Sequence, residues 1–339
     1  MKQMIKNNPV NRLIGLIPLL TVLLCACNDE WEDEQYVKEV AFVRSGYVET
    51  YLNTSAEDGI VHYKIPIEVC GSTANDRNVE VTIALDPDTL LKYNEATYFR
   101  RTDLYYRILE PQYYEFQSMK TTIPAGESVG YIDVDFHINN LDLVEKYILP
   151  LQITETSVYT PSPRKHYRRS LMRIIPFNDY SGNYSGTGAE IFNNTGTKMS
   201  VAIPDRDMRF VDSNTLFFYA GLTDETALDR SLYKIRVTFG DGTTDADGVV
   251  TGPVTLSADS AAINFAVPLP ENCYYRIESK MDDLQPYLMI RTITLTMEYE
   301  YDNLVNPAYP VRYKFKGPYV LERRRNTQIP EEDQQEIFD

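Results

Sequence analysis

Four cysteines occur in the chain, and one of them, Cys27, stands where a thiol can be acylated. Lys2, Lys6 and Arg12 make a positive amino-terminal region, and an apolar stretch over residues 13–24 follows. That stretch is too short to span a bilayer, which takes roughly 20 residues, and has the shape of a signal peptide. Leu24-Cys25-Ala26-Cys27 resembles a lipobox: an apolar residue, small residues before the cut, and a cysteine after it. The reading is a signal peptide over residues 1–26 and a diacylglycerol on the Cys27 thiol. Cys25 fits less well because bulky Leu24 directly precedes it. Acyl chains would anchor the mature protein to a membrane without spanning it.

Other residue types that could do chemistry are sparse. His62, His137 and His166 lack a second histidine at metal-ligand spacing, so no zinc site is expected. The acidic run 241–248 contains Asp241, Asp245 and Asp247 between glycines. It lacks the glycine at six and glutamate at twelve of a calcium-binding helix–loop–helix and reads as a hairpin turn. There is no Gly-x-Ser-x-Gly elbow and no phosphate-binding loop. Among 49 acids, sequence spacing cannot single out the carboxylate pair of a glycosidase. The expectation is a non-enzyme without cofactor or metal. The basic cluster 164–169 reads as a solvated loop or as a counterweight to nearby acids. Tyrosine is abundant, 26 against one tryptophan. Most rings suit strand packing, and an exposed ring face can stack on a sugar. Tyr274, Tyr275, Tyr287 and Tyr309, placed between strands or at their ends, are the candidates for a glycan platform, because loops are free while strands are committed to cores.

The elements that would position these residues are strands. Removing the signal peptide takes three bases and no acids from a net charge of −16, leaving −19; such a surface repels nucleic acid. Length suggests two domains, and Cys70 and Cys273 fall in different ones, so they read as small buried residues rather than a disulfide. Period-two alternation marks strands at 37–43, 62–69, 79–85, 113–122, 130–136, 147–153 and 170–176, with 89–101 open between a short helix and a loop. About seven short strands separated by turns predict an immunoglobulin-like β-sandwich over residues 37–177. Residues 178–322 are again strand-rich (183–191, 198–203, 215–219, 233–239, 249–256, 262–267, 292–301 and 312–319) and fit a second β-sandwich or an open β-barrel. Residues 27–36 read as an acidic tether and residues 323–339 as a charged, fraying tail.

Ile123-Pro124-Ala125-Gly126, Lys146-Tyr147-Ile148-Leu149-Pro150-Leu151, Pro176-Phe177-Asn178-Asp179-Tyr180-Ser181-Gly182-Asn183-Tyr184 and Gly317-Pro318-Tyr319-Val320-Leu321-Glu322-Arg323 resemble segments of Bacteroidetes polysaccharide-utilisation surface lipoproteins. That family pairs an immunoglobulin-like domain of unknown function with a β-rich carboxy-terminal one. The acids after Cys27 (Asp29, Glu30, Glu32, Asp33, Glu34) resemble the signal that sends such lipoproteins to the outer face of the outer membrane. The resemblance implies a glycan-capturing accessory held to outer-membrane lipid by its acyl anchor, beside a transporter and surface glycosidases, and a structural or protein-interaction subunit as the alternative. Its motifs read as turns and strand ends and bring no functional residue with them.

Overall fold

The computed structural model describes residues 33–54, 60–138, 141–164 and 166–329; Cys27 and the signal peptide lie outside them. The first domain holds β1 (Glu39–Phe42), β2 (Gly46–Asn53), β3 (Val61–Cys70), β4 (Val79–Leu85), helix α1 (Pro87–Tyr98), β5 (Arg107–Ile108), β6 (Tyr114–Phe116), β7 (Lys120–Ile123), β8 (Val129–Phe136), β9 (Tyr147–Thr156), β10 (Thr160–Pro161) and β11 (Arg169–Phe177). They form two sheets, ordered β10-β1-β3-β8-β6 and β2-β11-β9-β4-β7, with β5 beside β9. Val40, Ile65, Ile67, Val134 and Phe136 of one sheet meet Val81, Ile83, Leu149, Leu151 and Ile174 of the other in a common core, as the alternation demands.

The second domain holds β12 (Gly182–Tyr184), β13 (Glu190–Phe192), β14 (Arg206–Asp212), β15 (Thr215–Tyr219), β16 (Lys234–Phe239), β17 (Thr243–Thr244), β18 (Val250–Ala258), β19 (Tyr274–Met281), β20 (Leu288–Asn303) and β21 (Val311–Asn326). These make one sheet, β12-β14-β15-β16-β18-β19-β20-β21-β13, with β17 on β18. A bridge between Ser185, next to β12, and Val320 of β21 brings the first strand back to the penultimate one, so the sheet curls around its own core of Tyr184, Phe218, Ile235, Leu295, Tyr299 and Phe315. The all-β expectation holds, with the open-barrel alternative realised in the second half.

Several elements differ from expectation. The ambiguous stretch is α1: Pro87 opens it, and the Asp86 carboxylate caps it by accepting from the Thr89 amide and hydroxyl at 3.2 and 2.6 Å. The expected strand 113–122 is two, β6 and β7, in different sheets. Residues 198–203 form no strand, and 262–267 open as a 3-10 turn (Ala261–Ile263) capped by Ser260, which drives Ile263 into the core. The tail begins later than residue 323. Arg323–Asn326 continue β21 against Leu288–Arg291, where the Arg323 guanidinium donates to the carbonyls of Asn178 and Ser181. The tether ends sooner than residue 36. The Glu34 carboxylate accepts from both the amides and the hydroxyls of Ser72 and Thr73, over 2.6–3.1 Å. These bonds, the Thr73 hydroxyl first, hold its pKa well below the usual carboxylate range. Cys70 is half-buried and Cys273 buried, both as free thiols.

Candidate functional site

On the outer face of the first domain's second sheet, strand register groups residues that sequence distance separates. β2 and β11 run parallel, with Tyr47 opposite Leu171, Glu49 opposite Arg173 and Tyr51 opposite Ile175. β9 adds Ile148 opposite Arg173, and Lys146 immediately precedes that strand. Side chains at alternate positions share a face, so Tyr47, Glu49 and Tyr51 project together. One part of this face is covered by α1, whose Leu90 packs with Tyr106, Ile148 and Leu171. Tyr47 and Tyr93 stack there with ring centres 5.5 Å apart.

The second domain covers the rest and leaves a cavity of about 420 Å³. Its floor is Glu49, Tyr51, Lys146, Arg173 and Ile175; its roof is Ser181, Gly182 and Asn183 of the linker and β12, with Asp207 and Arg209 of β14. The floor is a network: Arg173 pairs with Glu49 and donates to the Tyr47 hydroxyl at 3.2 Å. The Tyr47 and Tyr51 hydroxyls donate to Glu49 at 3.1 and 2.8 Å. Burial pushes the Glu49 carboxyl up, but Tyr51, Arg173 and Tyr47 outweigh it and its pKa falls. Burial and the Glu49 charge push Tyr51 up to about 12. In the roof, Arg209 pairs with Glu225 at 2.5 Å and Asn183 donates to Asp207 at 2.7 Å. Burial, then Arg209 and Arg173, push the pKa of Lys146 down. Such a cavity can hold a small polar ligand by its hydroxyl groups, with the Tyr51 ring as the aromatic wall.

The junction that frames the cavity is packed and hydrogen-bonded. Phe210, Phe217 and Tyr219 of the second domain belong to the first domain's core cluster. Lys234 reaches Asp142 at 2.8 Å, Arg209 donates to the Leu143 carbonyl at 3.3 Å, and Arg230 donates to the Asp103 carbonyl at 3.0 Å. The linker itself is pinned, with the Asn178 carboxamide oxygen accepting from the amides of Tyr180 and Ser181.

The tyrosines singled out from sequence lie elsewhere and apart. Tyr275 is 4% exposed; it faces inward from β19 and donates to the Gly240 carbonyl at 3.0 Å, so it leaves the platform set. Its place in a strand rather than a loop is the reason. Tyr274, Tyr287 and Tyr309 are 40%, 38% and 76% exposed. Tyr287 precedes β20 and Tyr309 lies in the turn beyond its far end. A strand of 16 residues sets them about 50 Å apart at ~3.3 Å per residue. Tyr274 sits opposite Thr296, midway. No single platform unites them. The acidic run is the expected hairpin, with the Asp245 carboxylate accepting from the amides of Asp247 and Val249 at 3.0 and 2.9 Å. In the basic cluster, Arg169 pairs with Asp86 at 2.9 Å.

Sequence reading missed the cavity, yet two of the segments quoted for the family resemblance meet in it. Lys146 belongs to one; Pro176, Phe177, Ser181, Gly182 and Asn183 belong to another. Residues 31–157 match the profile of a domain of unknown function (DUF4973), and residues 168–319 match a second profile described as C-terminal. The second match starts one residue before β11, which pairs within the first domain's sheet. Among solved structures, a protein of unknown function from Bacteroides ovatus shares 31% identity, over 89% of this chain and 99% of its own, with TM-score 0.75. An auxiliary nutrient binding protein from Bacteroides thetaiotaomicron shares 34%, over 86% and 95%, with TM-score 0.74. A further protein of unknown function from Bacteroides ovatus shares 27%, over 91% and 97%, with TM-score 0.75. A search of curated proteins found no match.

Proposed function

The chain belongs to the family that joins DUF4973 to a β-rich carboxy-terminal domain, and from that premise we propose that it is a non-catalytic lipoprotein that captures glycans in the cavity between its domains. The observation behind this reading is the cavity itself. Its volume of about 420 Å³ falls within the ~300–1,000 Å³ of small-ligand sites. Its lining mixes carboxylate, guanidinium, carboxamide and phenol groups, which suit sugar hydroxyls. The nutrient binding named for the Bacteroides thetaiotaomicron protein agrees with it. Glu49 is tied to Arg173, Tyr47 and Tyr51 and its pKa is lowered, which does not suit it to the protonated acid of a glycosidase.

In this reading Cys27 carries the lipid and the protein sits on the outer face of the outer membrane, beside a transporter and surface glycosidases. Glu34 is docked on the first domain, so the seven residue-to-residue steps from Cys27 to Glu34 keep that domain within about 25 Å of the membrane surface. Weak binding at each cavity is reinforced by many copies on one surface. Calorimetry of the lipid-free protein, residues 28–339, against a broad panel of host and plant glycans tests the function. Binding weakened by Asn183→Ala supports it, and silence across the panel defeats it. Mass spectrometry of the amino-terminal peptide tests the anchor: an acylated Cys27 is expected, and an unmodified peptide that begins upstream of it defeats the placement.

A further inference from the structure

We infer that the cavity selects acidic saccharides, with the Lys146 ammonium receiving the carboxylate or sulfate of the sugar. The inference rests on the glycan-binding reading and adds the ligand's charge. Each of the other two cations in the lining is already matched: Arg173 by Glu49, Arg209 by Glu225. Lys146 has no carboxylate within 4 Å and no side-chain hydrogen bond among the described residues, although it is half-buried. A partly desolvated charge without a partner is costly, and an anion entering the cavity would remove that cost. Burial first, then Arg209 and Arg173, disfavour the Lys146 charge, and Glu225 and Asp207 offset this only in part from beyond ion-pair distance; an anion in contact would complete the compensation.

The local charge points the same way. The lining holds Glu49, Glu145 and Asp207 against Lys146, Arg173 and Arg209. Their ion partners beyond the lining are Glu225, Arg107 and Arg230. Three bases therefore balance three acids in the lining, in a chain whose net charge is −16, and Glu145 is further neutralised by Arg107 and Arg230 from outside it. A charge-balanced recess in an acidic chain is the place where an anionic group meets least repulsion, and within it Lys146 is the base left without an ion pair.

The test is calorimetry of the lipid-free protein with two matched pairs: oligogalacturonate and its methyl ester, and a sulfated galactan oligosaccharide and its desulfated form. The first pair reports on carboxylate and the second on sulfate. The expected result is that one acidic sugar binds at least tenfold more tightly than its neutral counterpart. Lys146→Met should abolish that preference, Lys146→Arg should keep it, and added salt should shrink it. Thermal melts check that the variants fold, and Lys146→Gln, which removes the charge while staying polar, stands in for Lys146→Met if the latter does not fold. Equal binding of acidic and neutral members, or a preference untouched by Lys146→Met, overturns the inference and leaves glycan binding standing. Silence with these four and with the broader panel overturns the glycan reading and the inference with it.

Discussion

Phe217 decides whether the two domains act as one body. It is 1% exposed and lies on β15, in the second domain, yet its ring belongs to the first domain's core cluster. Its neighbour Phe218 points the other way, into the second domain's own core. Truncating a buried phenylalanine costs about 3–5 kcal/mol. The Lys234 ammonium sits 4.7 Å from the centre of the Phe217 ring and the Arg209 guanidinium 6.0 Å; losing the nearer contact adds roughly 1 kcal/mol. Lys234 keeps Asp142 and Asp259 as partners, so no bare charge inflates the cost. A loss of about 4–6 kcal/mol compares with a typical net stability of ~5–15 kcal/mol. Phe217→Ala should therefore uncouple the domains. Urea unfolding followed by far- and near-ultraviolet circular dichroism should change from one transition to two, and limited proteolysis should open the linker near residues 178–182. Phe218→Ala serves as the contrast: it weakens only the second domain and leaves the first domain's midpoint in place. A single transition for Phe217→Ala, shifted by less than about 1 kcal/mol where core truncation predicts several, would refute the claim that this ring couples the domains.

Asp86→Asn keeps a good cap residue but loses the ion pair with Arg169, and should cost about 1 kcal/mol. Burial raises the Asp86 pKa, but Thr89 and Arg169 outweigh it, so the folded value lies below the unfolded one. The stabilisation is then full above the ordinary aspartate pKa of about 3.9 and is lost as pH falls through the folded value. Urea midpoints at pH 7 and pH 3 should accordingly differ less in Asp86→Asn than in the parent. At Gly221 the backbone has φ +51° and an added β-carbon would overlap the Tyr301 hydroxyl. Gly221→Ala should lose about 2–4 kcal/mol from the left-handed backbone and the displaced ring together, read as a lower urea midpoint. Glu34→Ala should free the leader and speed tryptic cleavage after Lys38. With native Glu34, whose pKa is depressed, protection against an acid-active protease should persist at pH 4, and loss of protection there would count against the clamp.

How far the sequence disclosed these features depended on what each strand packs against. β3, β4 and β8 bury one face and alternate cleanly, so they were legible. β15 is Thr215-Leu216-Phe217-Phe218-Tyr219, buried throughout, because one face meets its own core and the other meets the first domain. A continuous apolar run of that kind signals a strand covered on both sides, and here it marked the domain junction. β2 was passed over because Glu49 and buried Thr50 break its apolar pattern. Glu49 is polar because it faces the cavity, so the residue that hid the strand belongs to the site. β19 was missed for a related reason: Arg276, Glu278 and Lys280 face outward and left Tyr274 and Tyr275 looking like loop residues. Lys146 could not be singled out at all. Its importance comes from Arg173 and Arg209 lying nearby with their own acids, and no spacing along the chain encodes that.

The placement of the cavity makes its shape a property of the junction rather than of either domain. Floor and roof come from different domains, and each brings its own ion pair, Arg173 with Glu49 below and Arg209 with Glu225 above. Arg209 also lies over the rings of Phe217 and Tyr219, at 6.0 and 5.8 Å, and donates to the Leu143 carbonyl across the junction. The roof is thus registered on the floor by the contacts that couple the domains. A cavity fixed in this way loses little freedom when it takes a ligand, and that preorganisation contributes to affinity. Phe217 does not line the cavity, so Phe217→Ala should weaken glycan binding without removing a ligand contact. The loss should appear mainly as a less favourable binding entropy in calorimetry, while Phe218→Ala, below its unfolding range, should leave affinity near the parent's. If Phe217→Ala separates the unfolding transitions yet binds glycan as tightly as the parent, the ligand sits on one domain alone and the junction is not its site.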